Sequence, residues 1–230
     1  SRLPDGISFL DGLGRYGLNP MTAYFGLLEI GQPRAQETLV VSGAAGSTGS
    51  TVCQIGKIER LHVIGIAGGA EKCAWLTNEC GIDAAIDYKS EDVAARLAEL
   101  CPHGINIFFD NVGGEILQAA IDNMAPFGRI VLCGQIASYD GHASPEGPRN
   151  MMRLIYGGVR MQGFLCGHFA ARFDEARAAL KRWTEAGQLV YREDLRHGFE
   201  NLPGAFRALF DGSNQGTLIV QIDDSATDLH

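Results

Sequence analysis

Short aliphatic runs and helical stripes alternate along most of this chain. Thr38-Leu39-Val40-Val41-Ser42 is a compact run of β-formers, and beyond a glycine-rich turn Val52, Ile55 and Ile58 recur on one helical face. The alternation then repeats. It predicts strands at 38–42, 62–67, 84–87, 105–110, 129–133 and about 159–164, with helices at 47–60, 70–80, 90–100, 114–123 and, after a long loop, 149–156. Strands alternating with helices of this length form a parallel sheet covered on both faces. The expected fold class is therefore α/β, a doubly wound parallel six-stranded Rossmann sheet in the order 3-2-1-4-5-6. Its ligand should cross the carboxyl ends of the strands.

The flanks read differently. Asn19 is expected to cap a helix that has Pro20 in its first position, carries Met21, Tyr24, Phe25 and Leu28, and stops at Gly31-Gln32-Pro33. Gly12-Leu13-Gly14-Arg15-Tyr16-Gly17 spells a nucleotide fingerprint, but the run before it is weak and no acid-terminated second strand follows at the required distance. It is read as a flexible hinge. After about residue 165 the alternation breaks. Phe173, Ala176, Leu180 and Trp183 form the stripe of a helix ended by Gly187. A short strand near 189–192 should follow, then a helix at 202–211 capped by Asn201, with Pro203 in its first turn and Gly212 after it, and a last strand at 217–221. The chain thus divides into a hinge and linking helix (1–37), a dinucleotide-binding domain (38–165) and a C-terminal return segment (166–230) that belongs to another structural unit.

The candidate chemistry begins at Gly43-Ala44-Ala45-Gly46-Ser47-Thr48-Gly49, where glycines stand three apart between strand and helix. Gly46 would let the backbone approach a pyrophosphate and Gly49 would let the helix pack close, while the helix N-terminus offers N–H groups to phosphate oxygens. The bland reading is a glycine-rich turn that serves packing only. The second strand ends Ile66-Ala67-Gly68-Gly69, with Lys72 one turn on. Enzymes that use NAD usually carry Asp or Glu at that strand end, on the ribose 2′-hydroxyl. Small residues plus a lysine suit a 2′-phosphate instead, so NADP is favoured over NAD, with an ordinary solvated lysine as the alternative. Glu71 is read as a first-turn partner of the helix dipole. Tyr88 follows strand three, Asn111 follows strand four, and Cys133 to Tyr139 open the longest loop after strand five. Any one of them could be a turn residue, but together they converge on one rim.

Composition narrows the partners. The 230 residues are 46% hydrophobic and carry a formal charge of −8, which argues against nucleic acid or an anionic membrane surface. No apolar run approaches the roughly 20 residues of a bilayer span, and the N-terminus lacks the order of a signal peptide. Six cysteines without a C-x-x-C pair read as free thiols in a reducing, cytoplasmic setting. The six histidines are scattered, so no metal is expected, and the absence of a G-x-S-x-G elbow makes nucleophilic hydrolysis a poor fit.

Several stretches together carry a family resemblance. They are Met21 to Leu28, the glycine turn, Ile66-Ala67-Gly68-Gly69-Ala70-Glu71-Lys72, Asp87-Tyr88-Lys89, Phe109-Asp110-Asn111-Val112-Gly113-Gly114 and Gly128 to Gly134, extended by Met161 to Phe164, Tyr191 to Asp194 and Gly198 to Asn201. Across roughly residues 20–222 the chain resembles the zinc-independent medium-chain dehydrogenase/reductases, and within them the NADPH-dependent alkenal, curcumin and prostaglandin (leukotriene 12-hydroxydehydrogenase-like) reductases. The resemblance implies that Gly46, Ser47, Thr48 and Gly49 hold the pyrophosphate, Lys72 and Tyr88 the 2′-phosphate side, and Asn111 a ribose. Cys133, Gly134, Ile136, Ser138, Tyr139, Phe164, Leu165 and Cys166 would line the nicotinamide half, with Asn214 reaching in from the C-terminal segment. The implied reaction is reduction of the C=C bond of an α,β-unsaturated ketone or aldehyde, with Tyr139 as candidate donor to the developing enolate oxygen or, equally, as a packing aromatic. Thr22 is either a carboxamide ligand or a plain helix-start threonine, the latter being favoured. Quinone reduction and a non-enzymatic NADP(H)-binding module remain the alternatives. The resemblance also implies a β-rich catalytic domain ahead of the hinge that these residues do not include, so weak or absent activity is expected of this stretch alone. It implies a homodimer through the sixth strand, and a last strand that has lost its sheet neighbours.

Overall fold

In a computed structural model of the chain, residues 7–136 and 147–222 are described. Strands β1 (Thr38–Ser42), β2 (His62–Ala67), β3 (Ala84–Asp87), β4 (Ile105–Asp110), β5 (Met124–Leu132) and β6 (Arg160–Gly163) form one sheet in the order β3-β2-β1-β4-β5-β6. Every pairing in it is parallel, as the strand–helix alternation requires. Because both faces of the sheet are covered, the centres of the inner strands are apolar at successive positions. Leu39 and Val41 of β1, with Ile107 and Phe109 of β4, face a core that includes Phe25 and Trp183. Val40 and Phe108 face the opposite core with Ile64, Ile66 and Ile130.

Helices α3 (Ser47–Ile58), α4 (Ala70–Asn78), α5 (Val93–Leu100) and α6 (Gly114–Asp122) connect successive strands, and α7 (Met151–Gly157) leads into β6. β5 is longer than the pattern predicted. Its pairing with β4 shifts register between Ile105 and Ile107, where Phe127 takes a positive φ of 59°, so a bulge splits one strand into two apolar runs.

Ahead of the sheet, the stretch read as a hinge carries a helical turn, α1 (Phe9–Leu13), capped by Ser8 Oγ accepting from Asp11 N at 3.1 Å. Helix α2 (Leu18–Phe25) has Gly17, not Asn19, at its N-cap, with no side-chain cap bond. Pro20 fits two positions further in than predicted because no first-turn N–H has an intrahelical acceptor to lose. The helix widens into a π-helical segment, Gly26–Gly31, where a Cβ on Gly26 would stand 2.5 Å from the Phe164 ring.

The C-terminal part corrects two expectations. The strand placed near 189–192 lies at β7 (Glu193–His197), and the final strand, β8 (Thr217–Gln221), is not left without neighbours. Helix α8 (Phe173–Glu185) precedes them, and the two strands pair in parallel, with α9 (Leu202–Asp211) as the crossover that a parallel pair needs. Asn201 stands at the N-cap of α9 as expected but makes no side-chain cap bond; its amide donates instead to His197 O at 2.6 Å. Gln54 of α3 anchors this part to the sheet domain. Buried at 3% exposure, it accepts from Val190 N at 2.7 Å and donates to Val190 O at 3.0 Å, doing with a side chain what a neighbouring strand would do.

One ion pair fixes the approach to β1. Arg129 of β5 donates to the Glu37 carboxylate through Nη1 (2.9 Å) and Nη2, and through Nε to Gly31 O (2.9 Å). Burial pushes the Glu37 carboxyl up, but Arg129 and the Arg34 N–H together hold it below the usual carboxylate range. A depressed folded pKa contributes stability above the ordinary carboxylate pKa and loses it as pH falls through the folded value. Glu37→Gln is therefore expected to cost about 1.5–3 kcal/mol at neutral pH, and progressively less on acidification. Urea denaturation of both proteins across the acid range checks this; a cost that did not change with pH would contradict it.

Candidate functional site

The carboxyl ends of β1, β2 and β4 open into a cleft of about 710 Å³, roofed by residues from the end of α9 to the start of β8. Its centre is the glycine turn. Gly43 reverses the chain at φ +58°, Gly46 N donates to Gly43 O at 3.1 Å, and α3 starts at once without a side-chain cap. A Cβ on Gly49 would stand 2.3 Å from Gly43 O and 2.8 Å from Ala44 Cα, so only glycine lets helix and strand meet this closely. The backbone N–H groups of Thr48 and Gly49 make no hydrogen bond among the described residues, and the positive end of α3 points with them into the cleft.

On the β2 side the wall is Gly68, Lys72 and Tyr88. The Tyr88 phenol lies against Gly68, where a Cβ would come within 2.8 Å of its hydroxyl. Lys72 Nζ donates to Gly212 O at 2.6 Å, which anchors the ammonium group between α4 and the C-terminal roof. Asp87 is the acid that ends β3, but it does not line the cleft. It accepts from Gly69 N (2.7 Å), Lys89 N (3.0 Å) and Ser90 Oγ (3.0 Å), bonds that hold it below the usual carboxylate range. Among the described lining residues there is no carboxylate, and Lys72 is the charged side chain. Glu71 does more than sit in the first turn of α4: its carboxylate accepts from Arg192 (2.8 Å) and Gln215 (3.0 Å), joining the same roof.

On the β4 side stand Asn111, Val112 and Ile116, with Ile136 beyond β5. Asn111 is held by Ser42, and Ser42 by Asp110, at the bottom of the turn. Burial pushes the Asp110 carboxyl up, against the pull of the Gly113, Ser42 and Val112 donors.

The structure thus brings Gly46, Ser47, Thr48, Gly49, Lys72, Tyr88, Asn111, Ile136 and Asn214 around one cleft. Cys133, Gly134, Phe164, Leu165 and Cys166 are not among its lining residues. Phe164 is 8% exposed and packs edge-on to Phe109, and burial pushes the Cys133 thiol up to about 12. Ser138 and Tyr139 lie outside the described residues. Thr22 Oγ1 donates to Leu18 O at 2.8 Å, the bond expected of a plain helical threonine. Sequence reasoning missed the roof, namely Leu209, Phe210, Gly216 and Thr217, whose hydroxyl donates to Ser47 Oγ at 2.8 Å. The signal was present in Gly212 and Gly216 flanking Asn214, but a loop after a helix has no periodicity that says where it folds back.

No helix among the described residues is long and apolar enough to cross a membrane. Comparison with known proteins gives a consistent family. The family model described as "Zinc-binding dehydrogenase" matches residues 47–183. The chain is 39% identical over 215 residues to the NADPH-dependent curcumin reductase of Escherichia coli, covering 91% of this chain and 62% of the relative. It is 40% identical over 221 residues to prostaglandin reductase 1 of Bos taurus, covering 95% and 67%. A crystal structure of CurA from Vibrio vulnificus in complex with NADPH superposes with a TM-score of 0.89 at 42% identity, over 94% of this chain and 65% of that one. The chain therefore spans about two thirds of the length of these relatives. With the parallel six-stranded sheet and the glycine-turn cleft, these matches make the chain a member of the medium-chain dehydrogenase/reductase family, in its zinc-independent NADPH-dependent reductase branch.

Proposed function

We propose that the cleft binds NADP(H) and that the protein reduces the C=C bond of α,β-unsaturated ketones and aldehydes. The observation that carries the cofactor reading is the makeup of the described wall: a glycine turn at a helix N-terminus, a lysine one turn beyond β2, and no carboxylate. These residues fit the cofactor. The N–H groups of Thr48 and Gly49 would take the pyrophosphate. Lys72 and Tyr88 would take the adenosine 2′-phosphate, which a strand-tip acid would repel. Asn111 would bond a ribose, Ile136 would pack on the nicotinamide half, and Asn214 would close the site from the roof. The bound cofactor would supply a hydride, and the relatives' names, NADPH-dependent curcumin reductase and prostaglandin reductase 1, support this class of chemistry.

The protein's part in such a reduction is to orient the two reactants and to stabilise charge. An enone accepting a hydride at its β-carbon gathers negative charge on oxygen, so a hydrogen-bond donor aimed at that oxygen lowers the barrier. Tyr139 is the proposed donor. The described part of the cleft wall combines apolar Val112, Ile116 and Ile136 with few charges, a surface suited to an uncharged carbonyl substrate. The test is label transfer by the complete gene product, given an alkenal and NADPH deuterated at the transferable position. Deuterium on the product's β-carbon is the expected result. Unconsumed cofactor, or product without the label, would refute the reading.

A further inference from the structure

The turn after β4 hides a carboxylate that the cleft never meets. Asp110 is 1% exposed, and its Oδ1 accepts from Ser42 Oγ at 2.7 Å, from Gly113 N at 3.0 Å and from Val112 N at 3.1 Å; Oδ2 also accepts from Gly113 N, at 3.1 Å. Ser42 is 0% exposed and has a single hydroxyl proton. The carboxylate takes that proton, so the lone pairs of Oγ face the other way and accept from Asn111 N at 2.8 Å. The Asn111 amide then donates from Nδ2 to Ser42 O at 2.7 Å. A carbonyl can only accept, so the orientation of this amide is forced. Its Oδ1 has no partner among the described residues, and Asn111 lines the cleft.

The carboxylate fixes the hydroxyl, the hydroxyl fixes the Asn111 backbone N–H, and the backbone so placed lets Nδ2 reach the Ser42 main-chain carbonyl. Without an acceptor at 110 the Ser42 hydroxyl would be free to turn, and its proton would compete with the Asn111 N–H for the same space. Asn111 would then lose the contact that holds its backbone N–H, and the Nδ2 bond to the Ser42 main-chain carbonyl would alone hold the residue at the turn.

We propose that Asp110 and Ser42 are positioning residues: a buried acceptor and hydroxyl that lock Asn111 with its carboxamide oxygen presented to the cleft, where it receives a ribose hydroxyl of the dinucleotide. The inference rests on the cofactor reading above and adds to it the part of the fold that prepares the contact. Neither residue touches the ligand.

The test is a double-mutant cycle on NADPH affinity, measured by calorimetry on the full chain. Ser42→Ala and Asn111→Ala are each expected to weaken binding about tenfold, the scale of one directed hydrogen bond. The double variant is expected to be no weaker than Asn111→Ala alone, because Ser42 acts through Asn111. Asp110→Ala, which removes the acceptor, should match Ser42→Ala; it is the riskier variant for folding. Ser42→Ala leaves the Val112 and Gly113 contacts of the carboxylate in place and carries the test by itself. Unchanged affinity in Ser42→Ala, or a double variant weakened about a hundredfold as the product of independent losses, would overturn the inference. A parent chain that binds no NADPH would instead overturn the cofactor reading on which it stands.

Discussion

Lys72→Ala is expected to weaken NADPH binding about 10- to 100-fold while leaving NADH binding within about twofold. A hydrogen bond between a cation and a phosphate is stronger than a neutral one, and NADH lacks the phosphate that would receive it. The position of the ammonium group makes the effect specific. Its bond to Gly212 O holds it at the cleft wall beside Gly68 and Tyr88, where the described lining contains no carboxylate. The contact is open to solvent at the rim, so the difference between variant and parent should shrink as salt is raised. Calorimetric titrations with both cofactors, at low and high ionic strength, check each part. Equal losses for NADPH and NADH would mean that Lys72 serves the C-terminal roof rather than the phosphate.

The second large effect separates two glycines that a pattern search treats alike. Gly49→Ala places a methyl group 2.3 Å from Gly43 O and 2.8 Å from Ala44 Cα, both backbone atoms of the turn itself. The strand–helix junction must open, which is expected to cost about 1–3 kcal/mol of stability and to take cofactor binding with it. Gly46→Ala meets only Gly43 O, at 3.3 Å, a tight contact relieved by a shift of a few tenths of an ångström, so the fold loses less than in Gly49→Ala. That variant is expected to melt much closer to the parent than Gly49→Ala does and still bind NADPH at least about tenfold more weakly, because the new methyl group would occupy space the pyrophosphate needs. Thermal melts and NADPH titrations of the two variants side by side decide this. Two variants with equal midpoints and equal affinities would contradict the division of labour.

The parallel sheet was legible because its signals are local and redundant. Leu39-Val40-Val41 and Ile107-Phe108-Phe109 are apolar on both faces, the glycine turn marks the first crossover, and most helices carry their own stripe. Gly46 to Gly49, Lys72, Tyr88 and Asn111 could be named for the same reason, since each follows a strand and strand ends share one rim. The reading failed where structure depends on distant partners. β7 was displaced because Glu193-Asp194-Leu195-Arg196-His197 is mostly charged and becomes a strand only by pairing with β8 across α9. Asn19 lies inside α2, because helix starts are decided by the entering backbone, and Asn201 holds the predicted N-cap position while its side chain bonds His197 O instead of the first turn. The roof and the Asp110–Ser42–Asn111 chain join residues far apart in sequence through single hydrogen bonds, which leave no periodic trace.

A crystal of the chain grown with saturating NADP+ tests the central claim most directly. The expected result is the dinucleotide lying across the glycine turn, with its 2′-phosphate against Lys72 Nζ and Tyr88 beside Gly68. A cleft that stays empty, or an adenosine phosphate seated away from Lys72, would contradict it.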